Sequence, residues 1–359
     1  MVRAGLVGFG MAGRVFHAPL LSSVAGLELA AVVERNSDQA AARYLGIVTY
    51  RSLEHLLNDH SIDLVVVATP SGTHFEVARR ILEAGKHAVV DKPTAISSAE
   101  VAELMRIAKT SRCLLIPFHN RRWDSDFLTI TDLLHEGLTG RVVSFLSTFD
   151  RWSPGTARRP WKDRAEEGGG TLLDLGTHLA YQALGLFGKP EAVGAEVLRE
   201  RGGDGANDSF TMRLHYPGLA VTLASNCLSS LPRPRYHVRG TQGNYWKFGV
   251  DPQEAALNQV TRIDAVNWGA EPDTAWGRLR AIRNGELVER PVEPVSGDYR
   301  IFYAGVRDAI LGKAAPPVEP VEAWRTARLL EWALQSSAEH RDIPCDWDEE
   351  NVQLGDTGA

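Results

Sequence analysis

Val2-Arg3-Ala4-Gly5-Leu6-Val7-Gly8-Phe9-Gly10-Met11-Ala12-Gly13 opens the chain, and Arg14-Val15-Phe16-His17-Ala18-Pro19-Leu20-Leu21 continues it. An apolar run stops at Gly8, a glycine turn encloses Phe9, Met11 and Ala12, and a helical pattern starts after Gly13. That order, strand, G-x-G-x-x-G and helix, is what a dinucleotide-binding unit requires. Gly8 permits the tight turn, Gly10 lets the backbone approach a pyrophosphate, and Gly13 lets helix and strand pack closely. Free N–H groups and the positive end of the helix dipole then favour phosphate. A ligand-free glycine corner would use the same residues. A second apolar strand, Leu27 to Val33, decides between the two, because it ends at Glu34. That is close to the ~20-residue offset at which an acid meets the ribose hydroxyls. Arg35 follows it.

Working outward, residues 1 to about 118 alternate strand and helix. Strands are expected at Ile47–Tyr50, Ile62–Ala68, His87–Val90 and Cys113–Phe118. Helices are expected at Ser37–Leu45, Ser52–Asp59, after Thr73 and after Ser97, the last two with capping-box spacing to Glu76 and Glu100. The alternation predicts a doubly wound parallel sheet, whose ligand crevice lies at the carboxyl ends of the strands. The strand ends therefore mark the residues of interest: Thr69, Pro70 and Ser71, then Asp91, Lys92 and Pro93, then His119, Asn120, Arg121 and Arg122. Beyond Arg122 a helix, a strand at Val142–Asp150, an Arg-, Pro- and Gly-rich loop and a helix from Thr171 to Phe187 lead into successive strands. These predict a second α+β domain with an open, mainly antiparallel sheet. Asp251–Pro291 reads mostly as loop. Two final helices, Tyr299–Leu311 and Val321–His340, return to the body, and the tail after Asp342 reads as loose. The expected division is a nucleotide-binding domain over 1–120, a substrate and oligomerisation domain over 121–345, and an acidic tail over 346–359.

Composition narrows the function. A chain of 359 residues fits two domains by the ~150-residue guide. The formal charge is −6 without a long basic run, which argues against nucleic acid. Cys113, Cys227 and Cys345 match no zinc or disulfide spacing, so no metal is expected. A sparse, odd cysteine set fits a reducing cytoplasm. The N-terminus reads as a core strand and not a signal peptide, and no apolar run approaches the ~20 residues that span a bilayer. The expectation is a cytoplasmic protein.

Thr69-Pro70-Ser71-Gly72-Thr73-His74, Asp91-Lys92-Pro93 and Asp174-Leu175-Gly176-Thr177-His178, in this order behind the glycine turn, resemble one family. It is the glucose–fructose oxidoreductase/inositol dehydrogenase/rhizopine catabolism (Gfo/Idh/MocA) family. Phe16-His17-Ala18-Pro19-Leu20 and Phe118-His119-Asn120-Arg121-Arg122-Trp123-Asp124 are similar to its scyllo-inositol dehydrogenase branch. The resemblance spans nearly the whole chain and is far more specific for the family than for a substrate. It implies a Rossmann domain followed by an open-sheet domain that pairs between subunits, giving a homodimer or homotetramer. It implies hydride transfer between nicotinamide and a secondary alcohol or ketone of a cyclitol or sugar, with Lys92, Asp174 and His178 as the catalytic set. The family often has Glu where Asp91 stands, and the carboxylate is kept.

Those three residue types suit the reaction. A histidine, ordinarily titrating near ~6.5, can take the hydroxyl proton while hydride leaves the same carbon. Asp174 stands four residues before His178, on one helical face, where it can orient the imidazole or hold a neighbouring hydroxyl. The Lys92 ammonium can favour developing alkoxide charge. Singly, each of these residues would read as a surface or capping group. Asn120 and Arg121 are candidates for substrate, and Arg122 for cofactor, against an equally weighted junction salt bridge. Ser71 and His74 can reach ribose or diphosphate, and Trp161 in the Arg-Pro loop can cover the cofactor or simply pack. Tyr181 and Gln182 continue the face of His178, and His17 reads as structural. Leu219-Val221-Leu223 and Val193-Ala195-Val197 are expected on the open face that a second subunit covers. Glu34 favours NAD over NADP modestly, with Arg35 pulling the other way. The other readings are a non-catalytic nucleotide-bound sensor or repressor, and an NAD-dependent glycosidase of the same fold.

Overall fold

The structure, a computed structural model, describes residues 1–155, 160–260 and 262–349, without the side chains of Pro160, Trp161 and Glu166. Six strands form the first sheet: β1 (Val2–Val7), β2 (Leu27–Val33), β3 (Val48–Tyr50), β4 (Leu64–Val67), β5 (His87–Asp91) and β6 (Leu115–Phe118). Their order is β3-β2-β1-β4-β5-β6, and every pairing is parallel. Helices cover both faces, so β4 reads Leu-Val-Val-Val and is wholly buried. The order reverses between β1 and β4, and the crevice opens there, beside the glycine turn. Gly8 has φ +95°, and a Cβ on Gly13 would stand 2.1 Å from the Gly8 carbonyl oxygen. Both positions require glycine.

The second sheet has nine strands: β7 (Val142–Thr148), β8 (Ala192–Leu198), β9 (Ser209–Tyr216), β10 (Leu219–Asn226), β11 (Tyr236–Gly240), β12 (Gly243–Lys247), β13 (Gly277–Arg283), β14 (Glu286–Val292) and β15 (Ile343–Pro344). They run β14-β13-β12-β11-β7-β10-β9-β8-β15, antiparallel except for β7 with β10. The expected loop over Asp251–Pro291 is corrected here. It contains a short helix, Gln253–Leu257, and the β13–β14 hairpin, turned by Asn284 and Gly285 at φ 52° and 86°. Two positive φ values at Asn-Gly are the mark of a hairpin turn whose twist matches its strands.

The helices Leu172–Phe187 and Pro320–Glu339 cover the inner face of this sheet, and Val193, Val221 and Leu223 lie in that core. The expectation that these residues face outward is therefore wrong by one pleat. The outer face instead carries Leu146, Thr222, His237 and Trp246, all half-exposed. The tail is also better held than expected. Trp347 meets Trp332 edge-on at 4.8 Å, and Glu349 pairs with Arg325 and Lys189. Residues 350–359 lie outside the described residues. Nor is there a capping box at Thr73, whose hydroxyl donates to Pro70 O at 2.7 Å and lies 2.8 Å from Thr69 Oγ1, while Glu76 pairs with Arg79.

The first core is not built from the first third alone. Tyr299, which caps the helix Arg300–Ile310, and Phe302, Tyr303 and Val306 within it pack with Leu6, Leu20, Leu21 and Phe118. Among the described residues no helix is long and apolar enough to cross a membrane, and no cluster of His, Cys, Asp and Glu could hold a metal ion.

Candidate active site

Three strand ends and one helix start converge. Lys92, one residue beyond β5, precedes a cis peptide bond to Pro93. Its Nζ donates to Asp174 Oδ1 and to the Asp174 carbonyl, both at 2.7 Å. Asp174 lies in a wide π turn, Leu172–Gly176, that opens the helix carrying His178. Such turns are frequent at functional sites. The other Asp174 oxygen accepts Lys162 Nζ at 2.7 Å and lies 3.2 Å from Arg151. Sequence reasoning missed Lys162 and Arg151, which lie in a loop without periodicity. Burial pushes the Asp174 carboxyl up, but the charges of Lys92, Lys162 and Arg151 hold it well below the usual carboxylate range. Three cations around one carboxylate leave the pocket positive, as a developing alkoxide requires.

His178 is buried. Burial, then the charges of Lys92, Arg121 and His119, hold its imidazole well below the ordinary value, against the pull of Asp174. These surroundings favour the neutral form of the ring, the form that can accept a proton. His119, at the end of β6, is one of the strand-end residues expected at the crevice. Its ring stacks on Tyr181 at 4.0 Å and 2°, neither nitrogen has a hydrogen-bond partner among the described residues, and burial takes its pKa down to about 3.

Other predicted residues turn inward. His74 sets Nδ1 2.7 Å from Pro93 O and Nε2 2.9 Å from Thr69 O, so it ties two strand ends together and does not face a ligand. Arg121 is buried in ion pairs with Asp124 (3.1 Å) and Glu254 (2.5 Å). Arg122 bonds Tyr181 (3.0 Å) and lies 3.2 Å from Glu322. Both arginines thus take the junction role, and Asn120 is buried beside them. Gln182 spends its amide on Arg121 O, Arg235 and the Tyr236 hydroxyl. Phe9 packs into the core against Tyr44, while Met11 and Ala12 are half-buried. The Trp161 side chain lies outside the described residues.

The nucleotide cradle fits its purpose. A Cβ at Gly10 would meet no protein atom within 4 Å, so the turn is open above that residue. Ser71 is buried and Pro70 exposed, and the Arg-Pro loop lies across them: a Cβ on Gly72 would stand 2.9 Å from the Glu167 carbonyl oxygen. Glu34 departs from expectation. Its carboxylate accepts the Ser37 hydroxyl (2.6 Å) and the backbone N–H groups of Gln39 (3.3 Å) and Ala40 (2.8 Å). It stitches its own turn, while Arg35 stands exposed.

Comparison with known proteins agrees with this geometry. Residues 2–119 match the family model described as an oxidoreductase family with an NAD-binding Rossmann fold, and residues 127–246 match the GFO/IDH/MocA C-terminal domain. The chain belongs to the Gfo/Idh/MocA family of oxidoreductases. Within this family it is 39% identical to the uncharacterized oxidoreductase YdgJ of Escherichia coli K12, across 96% of this chain and 98% of that one. It is 34% identical to the scyllo-inositol 2-dehydrogenase (NADP(+)) IolW of Bacillus subtilis 168, across 95% of each. Among solved structures, YPO2259 from Yersinia pestis superposes with TM-score 0.91 at 41% identity, over 97% of this chain and 98% of that one. As a Gfo/Idh/MocA member the protein is a dehydrogenase or reductase with a nicotinamide-nucleotide fold.

Proposed function

We propose that this oxidoreductase moves a hydride between a nicotinamide nucleotide and a secondary alcohol or ketone on a cyclitol or sugar ring, scyllo-inositol in kind. The observation that carries this reading is the Lys92–Asp174 pair near a buried His178, whose imidazole is held below its ordinary value, at the carboxyl ends of the parallel strands. The similarity to IolW, a scyllo-inositol 2-dehydrogenase, supports the substrate class. Bound at Gly8–Gly13, the nucleotide supplies the hydride acceptor or donor. His178 takes the hydroxyl proton during oxidation and returns it during reduction. Lys92 holds the reacting oxygen and favours its negative charge, and Asp174 keeps Lys92 extended towards it. A panel of inositols, pentoses and hexoses, followed by absorbance of reduced nicotinamide with NAD and NADP, tests the reading. Steady formation of reduced nicotinamide supports it. Cleavage of glycosides without net redox change, or tight nucleotide binding without turnover of any ring alcohol, overturns it.

For the cofactor, Glu34 loses the role that favoured NAD, because both its oxygens serve the 34–40 turn. We propose that both nucleotides are used and that NADP is preferred, its 2′-phosphate meeting exposed Arg35. Comparing kcat/KM for the two decides it, and Arg35→Ala should lower the NADP value selectively. We further propose a cytoplasmic homo-oligomer joined through the outer sheet face at Leu146 and Trp246. Light scattering on Trp246→Glu, showing a smaller species than the parent, would support that interface.

A further inference from the structure

His17 has no place in the chemistry above, yet it stands directly behind it. It ends the first helical turn after the glycine loop, Gly13–His17, and is fully buried. Its ring packs 4.3 Å from that of Phe118. Nδ1 is 2.7 Å from the Tyr303 hydroxyl, and Nε2 is 3.9 Å from Asp91 Oδ2. The other Asp91 oxygen accepts the Lys92 backbone N–H at 2.8 Å. With the Tyr303 phenol donating to Nδ1, the ring N–H lies on Nε2 and faces Asp91, whereas the reverse tautomer would set a bare nitrogen against the carboxylate. Nε2 has no hydrogen-bond partner among the described residues. At 3.9 Å the approach to Asp91 is an ion-pair contact, longer than a hydrogen bond.

We infer that His17 is a positioning residue: braced by Tyr303, it fixes the Asp91 carboxylate under Lys92 and so couples the helix of the nucleotide loop to the segment that carries the reacting ammonium. The inference rests on Lys92 acting at the reacting carbon. One ring touches three separate parts of the chain, the nucleotide helix, the end of β5 and the helix Arg300–Ile310. A shift at the glycine loop is thereby transmitted to Lys92 through two contacts. The groups facing Asp91 are His17 from the first helix, His74 from the helix after β4, Lys92 on its own strand, His119 from the end of β6, and Tyr303. Burial pushes the Asp91 carboxyl up, but the contact with the His17 ring and the Lys92 ammonium outweigh it and leave the group below its ordinary value. Without His17, burial regains weight, and Asp91 takes up its proton at higher pH.

The test compares His17→Phe, His17→Gln, His17→Asn and Lys92→Ala in the full-length protein, with scyllo-inositol and NADP. The readouts are kcat and KM across pH, cofactor Kd by calorimetry, and Tm across pH. His17→Phe keeps the packing on Phe118 and should lower kcat by about 10²-fold, as misplacement of a reacting group does. It should also move the acid limb of kcat to higher pH and leave cofactor Kd unchanged. His17→Gln places an amide N–H where Nε2 stands and should restore most of the loss, whereas the shorter His17→Asn should not. Tm supplies a readout independent of turnover. In the parent, Asp91 contributes stability above the ordinary carboxylate range, lost as pH falls through its lowered value. In His17→Phe the raised value makes the buried carboxylate a cost as pH rises through it, so the Tm deficit should be larger at neutral than at acid pH. Parent-like kcat with an unmoved acid limb in His17→Phe overturns the inference. If that variant does not fold, equal activity of the Gln and Asn variants overturns it instead. An inactive Lys92→Ala beside an unmoved His17→Phe profile refutes the positioning role alone. An active Lys92→Ala refutes the catalytic reading, and this inference with it.

Discussion

Lys92 and His178 are the residues on which turnover should depend most. Lys92→Ala leaves Asp174 still paired with Lys162 and Arg151, so no buried carboxylate is orphaned and the fold should survive. We expect each of Lys92→Ala and His178→Ala to lower kcat by ~10²–10⁴-fold with cofactor binding largely kept. Near-parental kcat in either variant would remove that residue from the chemistry. Gly10 gives a complementary outcome. A Cβ there meets no protein atom, so Gly10→Val should fold normally and yet fail to bind nucleotide, and calorimetry on the purified variant checks both. Gly10 was legible from its place in the glycine turn, and Lys92 and His178 from the resemblance to the family, since singly each would read as a surface or capping group. Lys162 and Arg151 were not, since two loop cations leave no periodic trace, and the stack of His119 on Tyr181 does not follow from its place at the end of β6. Glu34 stands where it was expected, but its carboxylate also accepts from Ser37, Gln39 and Ala40, which the sequence did not announce. Sequence offset places an acid at the end of β2, but the N–H groups of residues 39 and 40 are nearer competitors for it than a ribose hydroxyl.

At the scale of elements, the strand–helix alternation to residue 118 read cleanly because parallel strands buried on both faces are continuous apolar runs. The β13–β14 hairpin was missed for the opposite reason. Arg278, Arg280, Glu286 and Glu289 are exposed, which dilutes the strand signal, and only Asn284-Gly285 announces the turn. The long helix Pro320–Glu339 carries the capping box that Thr73 lacks, formed by Glu319 and Glu322. That helix also closes a sheet edge. β15 pairs with only the first two residues of β8, and the next free N–H groups, of Ala195 and Val197, donate to Ser336 Oγ at 2.8 Å and Ser337 Oγ at 2.9 Å. Ser336→Ala and Ser337→Ala together should cost roughly 1–3 kcal/mol for each N–H left without a partner. Urea unfolding of the double variant measures this. An unchanged midpoint would show that water or a neighbouring chain takes over the edge.

For the whole molecule, the buried histidines set an acid limit. His119, with its pKa at about 3, and His178, also held low, bind fewer protons folded than unfolded. Their full contribution to stability is present above ~6.5 and is lost as pH falls from there towards the folded values. His119→Phe keeps the stack on Tyr181 and cannot be charged, so it should unfold at a urea midpoint that falls less between neutral and acid pH than the parent's. A parallel decline in both proteins would place the acid sensitivity elsewhere.

The helix Arg300–Ile310, which completes the first core against Leu20, Leu21 and Phe118, also has a bearing on how the protein is made. Chains emerge from the ribosome at about 5–20 residues per second, N-terminal end first. The glycine loop and six parallel strands are thus outside the tunnel many seconds before Phe302 and Tyr303 arrive to cover them. During that interval the nascent chain shows an uncapped apolar face, the condition under which chaperones bind and aggregates start. A fragment ending at residue 120 should accordingly be trapped by trigger factor or precipitate when translated alone. Supplying the segment 290–345 in trans should raise its soluble yield.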